Sequence, residues 1–282
     1  MTYAVTGSTG QLGRLVIEAL KSRTETDRIV ALARDTEKAA DLGVEARLFD
    51  YDKPETLAPA LDGVDTLLLI SGSDIGQRGR QHAAVIEAAK AAGVAHIVYT
   101  SLLNAPHNPI MLAQEHLETE KLLAESGVAH TLLRNGWYTE NYLMSVPSAL
   151  EHGAMIGSAG DGRISSAARA DFAEAAAVVL TDPSLQGEVY ELAGDDSYTL
   201  ADMAAAVSQA SGREIPYVDM PEADYAAALT QAGLAEDMAA FLAHCDAQAA
   251  KGALAHDGQA LSRLIGRPTT PMPTLVAATV AG

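Results

Sequence analysis

Cysteine is nearly absent from this chain: Cys245 stands alone among 282 residues. One thiol excludes an intrachain disulfide and a cysteine-built metal cluster, and a reducing cytoplasm is the simplest compartment for it. Cations are scarce as well. There are 19 Lys and Arg against 37 Asp and Glu, a net charge of −18. Nucleic-acid affinity rests on Lys and Arg contacts to phosphates, so this balance argues against a general nucleic-acid partner, while leaving room for a local basic pocket that holds one dinucleotide. Long apolar runs are missing too, which speaks against a membrane span; Thr66 to Ile70 has the length of a buried strand. No basic–apolar–small signal precedes the first motif. Aromatics make up only 5% of residues while alanine abounds, which fits many helices.

What is present begins at once. The apolar, β-prone run Thr2 to Thr6 leads into Gly7–Ser8–Thr9–Gly10–Gln11–Leu12–Gly13. Arg14 to Lys21 then carries apolar residues at helical spacing, and Ile29 to Ala33 is a second apolar run ending at Arg34. This is strand, glycine turn, helix, strand: one right-handed crossover unit. Gly7 allows a sharp exit from the strand. Gly10 lets backbone amides approach a pyrophosphate, and Gly13 lets the helix pack close to the strand. The phosphates then meet the unpaired amides and positive dipole of a helix N-terminus, with Thr9, Gln11 and Leu12 beside them. The spacing G-x-x-G-x-x-G resembles that of the extended and atypical short-chain dehydrogenases.

The end of the second strand selects the nucleotide. A carboxylate there binds the ribose 2′-hydroxyl of NAD, whereas the 2′-phosphate of NADP needs a cation. Arg34 holds that position, and its guanidinium can bind phosphate through two parallel hydrogen bonds. Lys38 can add charge. Asp35 would favour NAD if it faced the ribose, but it is better placed to cap the following helix.

Strands and helices then alternate strictly. Strands are expected at 44–49, 64–70, 96–99 and 129–133, and helices at 35–42, 54–61, 77–92 and 112–126. This argues an α/β fold with a doubly wound, Rossmann-like parallel sheet over residues 1–146. Beyond Pro147 the alternation stops. Residues 147–282 read as a smaller, mostly helical mixed α+β part covering the substrate cleft. It has helices at 170–181, 199–211, 221–232 and 234–250, and a strand near 188–192 returning to the main sheet.

The carboxyl ends of the strands supply further candidates. Asp50 can bind the adenine amino group or be an ordinary loop acid, and Tyr51 can lie against the adenine ring. Ser71 and Gly72, then Thr100, Ser101 and Leu102, border the ribose and nicotinamide. Trp137, Tyr138, Asn141 and Tyr142 frame a flat acceptor, for which aromatic rings are suited; packing between sheet and tail is the alternative, equally weighted for Trp137.

One pattern is missing. Short-chain dehydrogenases carry a serine and then Tyr-x-x-x-Lys on the next helix. Ser101 can match the serine, but the helix reads Ala113–Gln114–Glu115–His116–Leu117–Glu118–Thr119–Glu120–Lys121. His116 lies nearest the expected site and can donate a proton or a hydrogen bond. Lys121 follows five residues later, roughly 140° around the helix, which suits a surface lysine. A quinone tolerates this loss, because its reduction is downhill and its product can protonate from water.

Several runs carry a family likeness. They include Thr6 to Gly13, Leu67–Leu68–Leu69–Ile70–Ser71, Tyr99–Thr100–Ser101–Leu102–Leu103, Glu115 to Lys121 and Leu132–Leu133–Arg134–Asn135–Gly136–Trp137–Tyr138. Tyr190–Glu191–Leu192–Ala193–Gly194 and Leu264 to Thr270 extend it nearly end to end. The chain resembles the NmrA-like atypical short-chain dehydrogenases, above all their bacterial quinone-reducing members. The resemblance implies NADPH as cofactor and hydride transfer to a small quinone-like acceptor. Gly72 and Ile75 depart from the pattern and bear on the cleft. Other members of the group reduce triphenylmethane dyes, and some bind NADP only as sensors.

Overall fold

A parallel strand covered on both faces is mostly apolar, and any polar side chain in it must find a partner. In the computed structural model of residues 1–282, β1 (Tyr3–Val5), β2 (Ile29–Ala33), β4 (Thr66–Leu69) and β5 (His96–Leu102) are buried throughout. They lie inside a seven-stranded sheet of order β3-β2-β1-β4-β5-β6-β8. β3 (Glu45–Leu48) and β8 (Val189–Leu192) form its edges, and β6 (Ala129–Asn135) lies inside β8. Every pairing is parallel. The strand order reverses between β1 and β4, which opens a crevice at their carboxyl ends.

Side-chain alternation divides the core in two. Val5, Ala31, Leu68 and Val98 point to α1 (Gln11–Lys21), meeting Val16, Ile17 and Leu20. Their neighbours Ala4, Leu32, Leu67, Ile97 and Tyr99 point the other way. There they pack on α2 (Leu57–Ala60), α3 (Arg78–Ala92) and α4 (Leu112–Ser126), through Leu57, Val85, Ile86 and Leu123. Segment 35–42 closes as a 3-10 helix, Glu37–Leu42, and Pro54 opens a 3-10 turn ahead of α2.

Past α5 (Thr139–Leu143) and α6 (Val146–His152) the chain serves two bodies. A small parallel pair, β7 (Met155–Gly157) with β9 (Tyr217–Asp219), belongs to the outer body. α7 (Arg169–Thr181) returns to the sheet, with Phe172, Ala176 and Leu180 in the same core as α1. The outer body contains α8 (Leu200–Ser211), α9 (Glu222–Gln231) and α10 (Glu236–Ala249). α11 (Ala260–Ile265) packs its Leu261 and Ile265 back on the α1–α7 layer, and α12 (Met272–Ala281) joins the outer body. That body's core includes Tyr142, Met155, Met203, Cys245 and Val276. The short strands β7 and β9 and helices α5, α6, α11 and α12 were not expected from sequence. All but the ten-residue α12 are seven residues or shorter, and three-residue strands give no periodicity to read. No helix is long and apolar enough to cross a membrane.

Candidate cofactor cleft

A cavity of about 470 Å³ opens at the switch point and is lined by the glycine turn and the ends of β2, β3 and β4. Gly7 takes a φ of +57°, and Gly10 N donates to Gly7 O at 2.9 Å, so the turn closes on itself. A Cβ on Gly13 would lie 2.3 Å from Gly7 O and 2.7 Å from Ser8 Cα, so helix and turn are packed too closely for any side chain there. Ser8 Oγ donates to Leu32 O, and Ile70 N donates to Thr6 Oγ1, tying the turn to both neighbouring strands. No side chain caps α1, and its first turn holds no acid. Its leading amides therefore face the cavity with anion-binding capacity unspent, which fits a dinucleotide diphosphate.

At one end of the cavity stands Arg34, exposed and with no carboxylate partner. Its neighbours are engaged elsewhere. The Asp35 carboxylate accepts from Glu37 N and Lys38 N at 3.1 and 3.4 Å, capping the 3-10 helix. Lys38 Nζ lies 3.8 Å from Asp35. Asp50 sits on the wall, accepting from Asp52 N at 3.1 Å and pairing with Lys53 at 3.3 Å. Tyr51 donates to Ile70 O at 3.1 Å, its ring edge-on to Phe49 and His82, and burial raises its pKa above the ordinary value. Asp52, Asp74 and Gln81 share this end and were not anticipated. Gln81 Nε2 lies 3.3 to 3.4 Å from carboxylate oxygens of Asp52 and Asp74.

Ser71 and Gly72 also line the cavity. Gly72 is held by both backbone groups. Its N–H donates to His82 Nε2 at 3.0 Å, and its carbonyl accepts from Arg78 Nε and Nη2 at 2.9 and 2.7 Å. Arg78 also pairs with Glu115, which accepts from Gly76 N. His82 Nδ1 therefore carries the proton and donates to Thr119 Oγ1 at 2.9 Å. Thr100, Ser101 and Leu102 lie behind this wall. Thr100 Oγ1 accepts from Ser71 N at 2.9 Å, Ser101 Oγ donates to Glu120 at 2.6 Å, and Leu102 packs with Ala105 and Ala113.

His116 corrects the expectation of a cleft histidine. It is 5% exposed, is absent from the cavity wall, and meets Tyr99 Oη through Nδ1 at 2.8 Å. Burial, reinforced by Arg78 and His82, pushes its pKa down to about 3. The physical reason is the face of α4 on which it lies. Glu115, His116, Thr119 and Glu120 form one inward polar stripe that bonds α3, β5 and β6 instead of facing a ligand. Lys121 is exposed and lies 3.8 Å from Glu125, a surface lysine.

The four acceptor candidates separate. Tyr138 lines the cofactor cavity, its ring under the Arg169 guanidinium at 4.6 Å and edge-on to Phe172. Asn141 Oδ1 accepts from Arg169 Nη2 at 3.2 Å. Trp137 and Tyr142 pack together in the outer core, and the buried Tyr142 hydroxyl donates to Asp246 at 3.1 Å. Arg169 was missed: it opens a helix far from any nucleotide motif, with no local signal.

The profile of the NAD(P)H-binding family matches residues 7–183. Quinone oxidoreductase 2 of Escherichia coli is 53% identical over 95% of each chain. The crystal structure of the Escherichia coli NADPH-dependent quinone oxidoreductase with NADPH superposes with a TM-score of 0.96 at 52% identity, covering 98% of this chain and 99% of that one. The triphenylmethane reductase of Citrobacter sp. also gives 0.96, at 35% identity over the whole of both chains. With its uncapped glycine turn and unpaired Arg34 at the switch point of a doubly wound sheet, this chain belongs to the NAD(P)H-binding family.

Proposed function

We propose that the protein is an NADPH-dependent oxidoreductase that passes hydride to a quinone or similar flat acceptor. One observation carries the choice of acceptor. The helix that bears the acid–base tyrosine in short-chain dehydrogenases here offers a buried, neutral His116 and a solvent-facing Lys121. An acceptor reduced at this site cannot depend on a strong general acid from α4. A quinone meets that condition, since its reduced form takes its proton from water. Bound NADPH would supply the hydride. Arg34 would hold the 2′-phosphate, and the turn from Gly7 through Thr9, Gly10, Gln11 and Leu12 the diphosphate. Asp50 and Tyr51 would flank the adenine, and Ser71 and Gly72 would border the ribose and nicotinamide, with Thr100, Ser101 and Leu102 supporting them from behind. Residues 147–282, with Trp137 and Asn141, would wall the acceptor. This reading sets the protein in the cytoplasm, acting on a small molecule without a nucleic-acid partner. NADPH consumption with and without a simple benzoquinone, corrected for the uncatalysed rate, tests it. Turnover well above background is expected. Tight NADPH binding without turnover would instead favour a redox sensor, the reading to which the missing Tyr-x-x-x-Lys also points.

A further inference from the structure

We propose that Arg169 is a second anion clamp of the cleft, holding the diphosphate bridge of the dinucleotide opposite the glycine turn. The inference rests on the reading that this cleft takes NADP(H). Arg169 and the glycine turn line the same cavity. α1 and α7 lie side by side in one core and run in the same direction, for Arg23 at the end of α1 donates to Thr181 at the end of α7 at 3.1 Å. Arg169 therefore opens α7 beside the N-terminus of α1, where the free amides are.

Its charge is uncommitted. Arg14, Arg47, Arg78, Arg80, Arg134 and Arg267 each pair with a carboxylate. Arg169 does not. The nearby Glu140 carboxylate is taken up by the Arg169 backbone N–H, at 2.9 and 3.1 Å. The guanidinium is held instead by two neutral groups, the Tyr138 ring on one face and Asn141 Oδ1 at one nitrogen. Its other N–H groups are left for an anion, in a plane fixed by stacking, and a planar fork suits phosphate oxygens. Asp50, Asp52 and Asp74 also line the cavity, so a diphosphate needs a local cation. Arg34 and Arg169 are the two cations of the wall, both free of carboxylates, and NADPH offers two separate anionic sites, its 2′-phosphate and its diphosphate bridge. Tyr138 and Asn141 then act as positioning residues for Arg169.

Titration of NADPH, NADH and 2′-AMP against wild type, Arg169→Gln and Arg169→Lys, read by nucleotide fluorescence or calorimetry without acceptor, tests this. Arg169→Gln should weaken NADPH and NADH by the same factor, about ten- to hundredfold, with Arg169→Lys recovering part of it. 2′-AMP has no diphosphate and should bind unchanged, which also reports an intact cleft. Unchanged dinucleotide affinity in the variants, a loss confined to NADPH, or a loss extending to 2′-AMP would each overturn the assignment. A wild type that binds neither dinucleotide would sink the cofactor reading first, and the clamp with it.

Discussion

Tyr99 and His116 are joined hydroxyl to imidazole at 2.8 Å, and neither lines the cleft. The pair ties β5 to α4 beneath the wall that carries Gly72. A histidine with its pKa driven to about 3 by burial is uncharged through the neutral range. The kcat–pH profile of quinone reduction should therefore lack a step at the ordinary histidine value of 6.5. His116→Asn should keep NADPH affinity and part of the turnover, with loss of thermal stability. A wild-type step near that pH, absent from the variant, would restore the histidine as the acid.

Acid should unfold the protein partly through the same ring and its neighbour. His82 and His116 are both buried, and desolvation lowers both to about 3 from 6.5. The unfolded chain then binds protons that the folded chain refuses. This contribution to stability is intact above pH 6.5, erodes as pH falls toward 3, and is flat below. Buried Asp246 works the other way: burial raises it from 3.8 to about 6, so between those values it offsets part of the loss. The unfolding free energy from denaturant titrations should fall more steeply with decreasing pH in wild type than in His116→Asn, by up to about 1.4 kcal/mol per pH unit. Parallel curves would assign the acid sensitivity to other groups.

That the glycine turn and Arg34 meet at one cavity was legible because the feature is local. Gly7, Gly10, Gly13 and Arg34 sit within one crossover unit, and spacing along the chain fixes their places in space. The α4 stripe was not. Its sequence reads as a polar helix, and only the neighbouring elements reveal that Glu115, His116, Thr119 and Glu120 face inward. Those partners, Arg78, His82, Tyr99 and Arg134, are up to 37 residues away. The same holds for Tyr138, expected at the acceptor and found on the cofactor wall because α7 brings Arg169 over its ring.

The Arg78–Glu115 pair should behave as one unit. Both groups are largely buried, and together they hold Gly72 O and Gly76 N. Removing one partner leaves the other charge uncompensated, so Arg78→Met alone should cost about 3–5 kcal/mol. The double variant with Glu115→Gln should cost less than the sum of the two singles. Strict additivity in chemical unfolding would mean that the two side chains act independently.

Arg34 should decide between the two nicotinamide cofactors. A 2′-phosphate brings close to two negative charges to the end of β2, in a chain whose net charge is −18. The cations nearby in sequence are differently placed: Lys38 lies beside Asp35, and Arg14 is bonded to Asp41 and to Lys38 O. Asp35 has turned away to cap the 3-10 helix, so no carboxylate repels the phosphate from that strand end. A charge-assisted hydrogen bond contributes about 1.5–3 kcal/mol, or roughly ten- to hundredfold in affinity. NADPH should therefore bind more tightly than NADH, with the difference lying mainly in Kd. It should also shrink with added salt, because Arg34 is exposed. Arg34→Ala should weaken NADPH by about that factor and leave NADH nearly unchanged, the opposite pattern to a diphosphate contact, whose loss falls on both. Titration of both cofactors at two ionic strengths separates these cases. Equal affinities in the wild type, or equal losses in the variant, would remove Arg34 from the 2′-phosphate and make Asp35, released from its cap, the residue that reads the ribose.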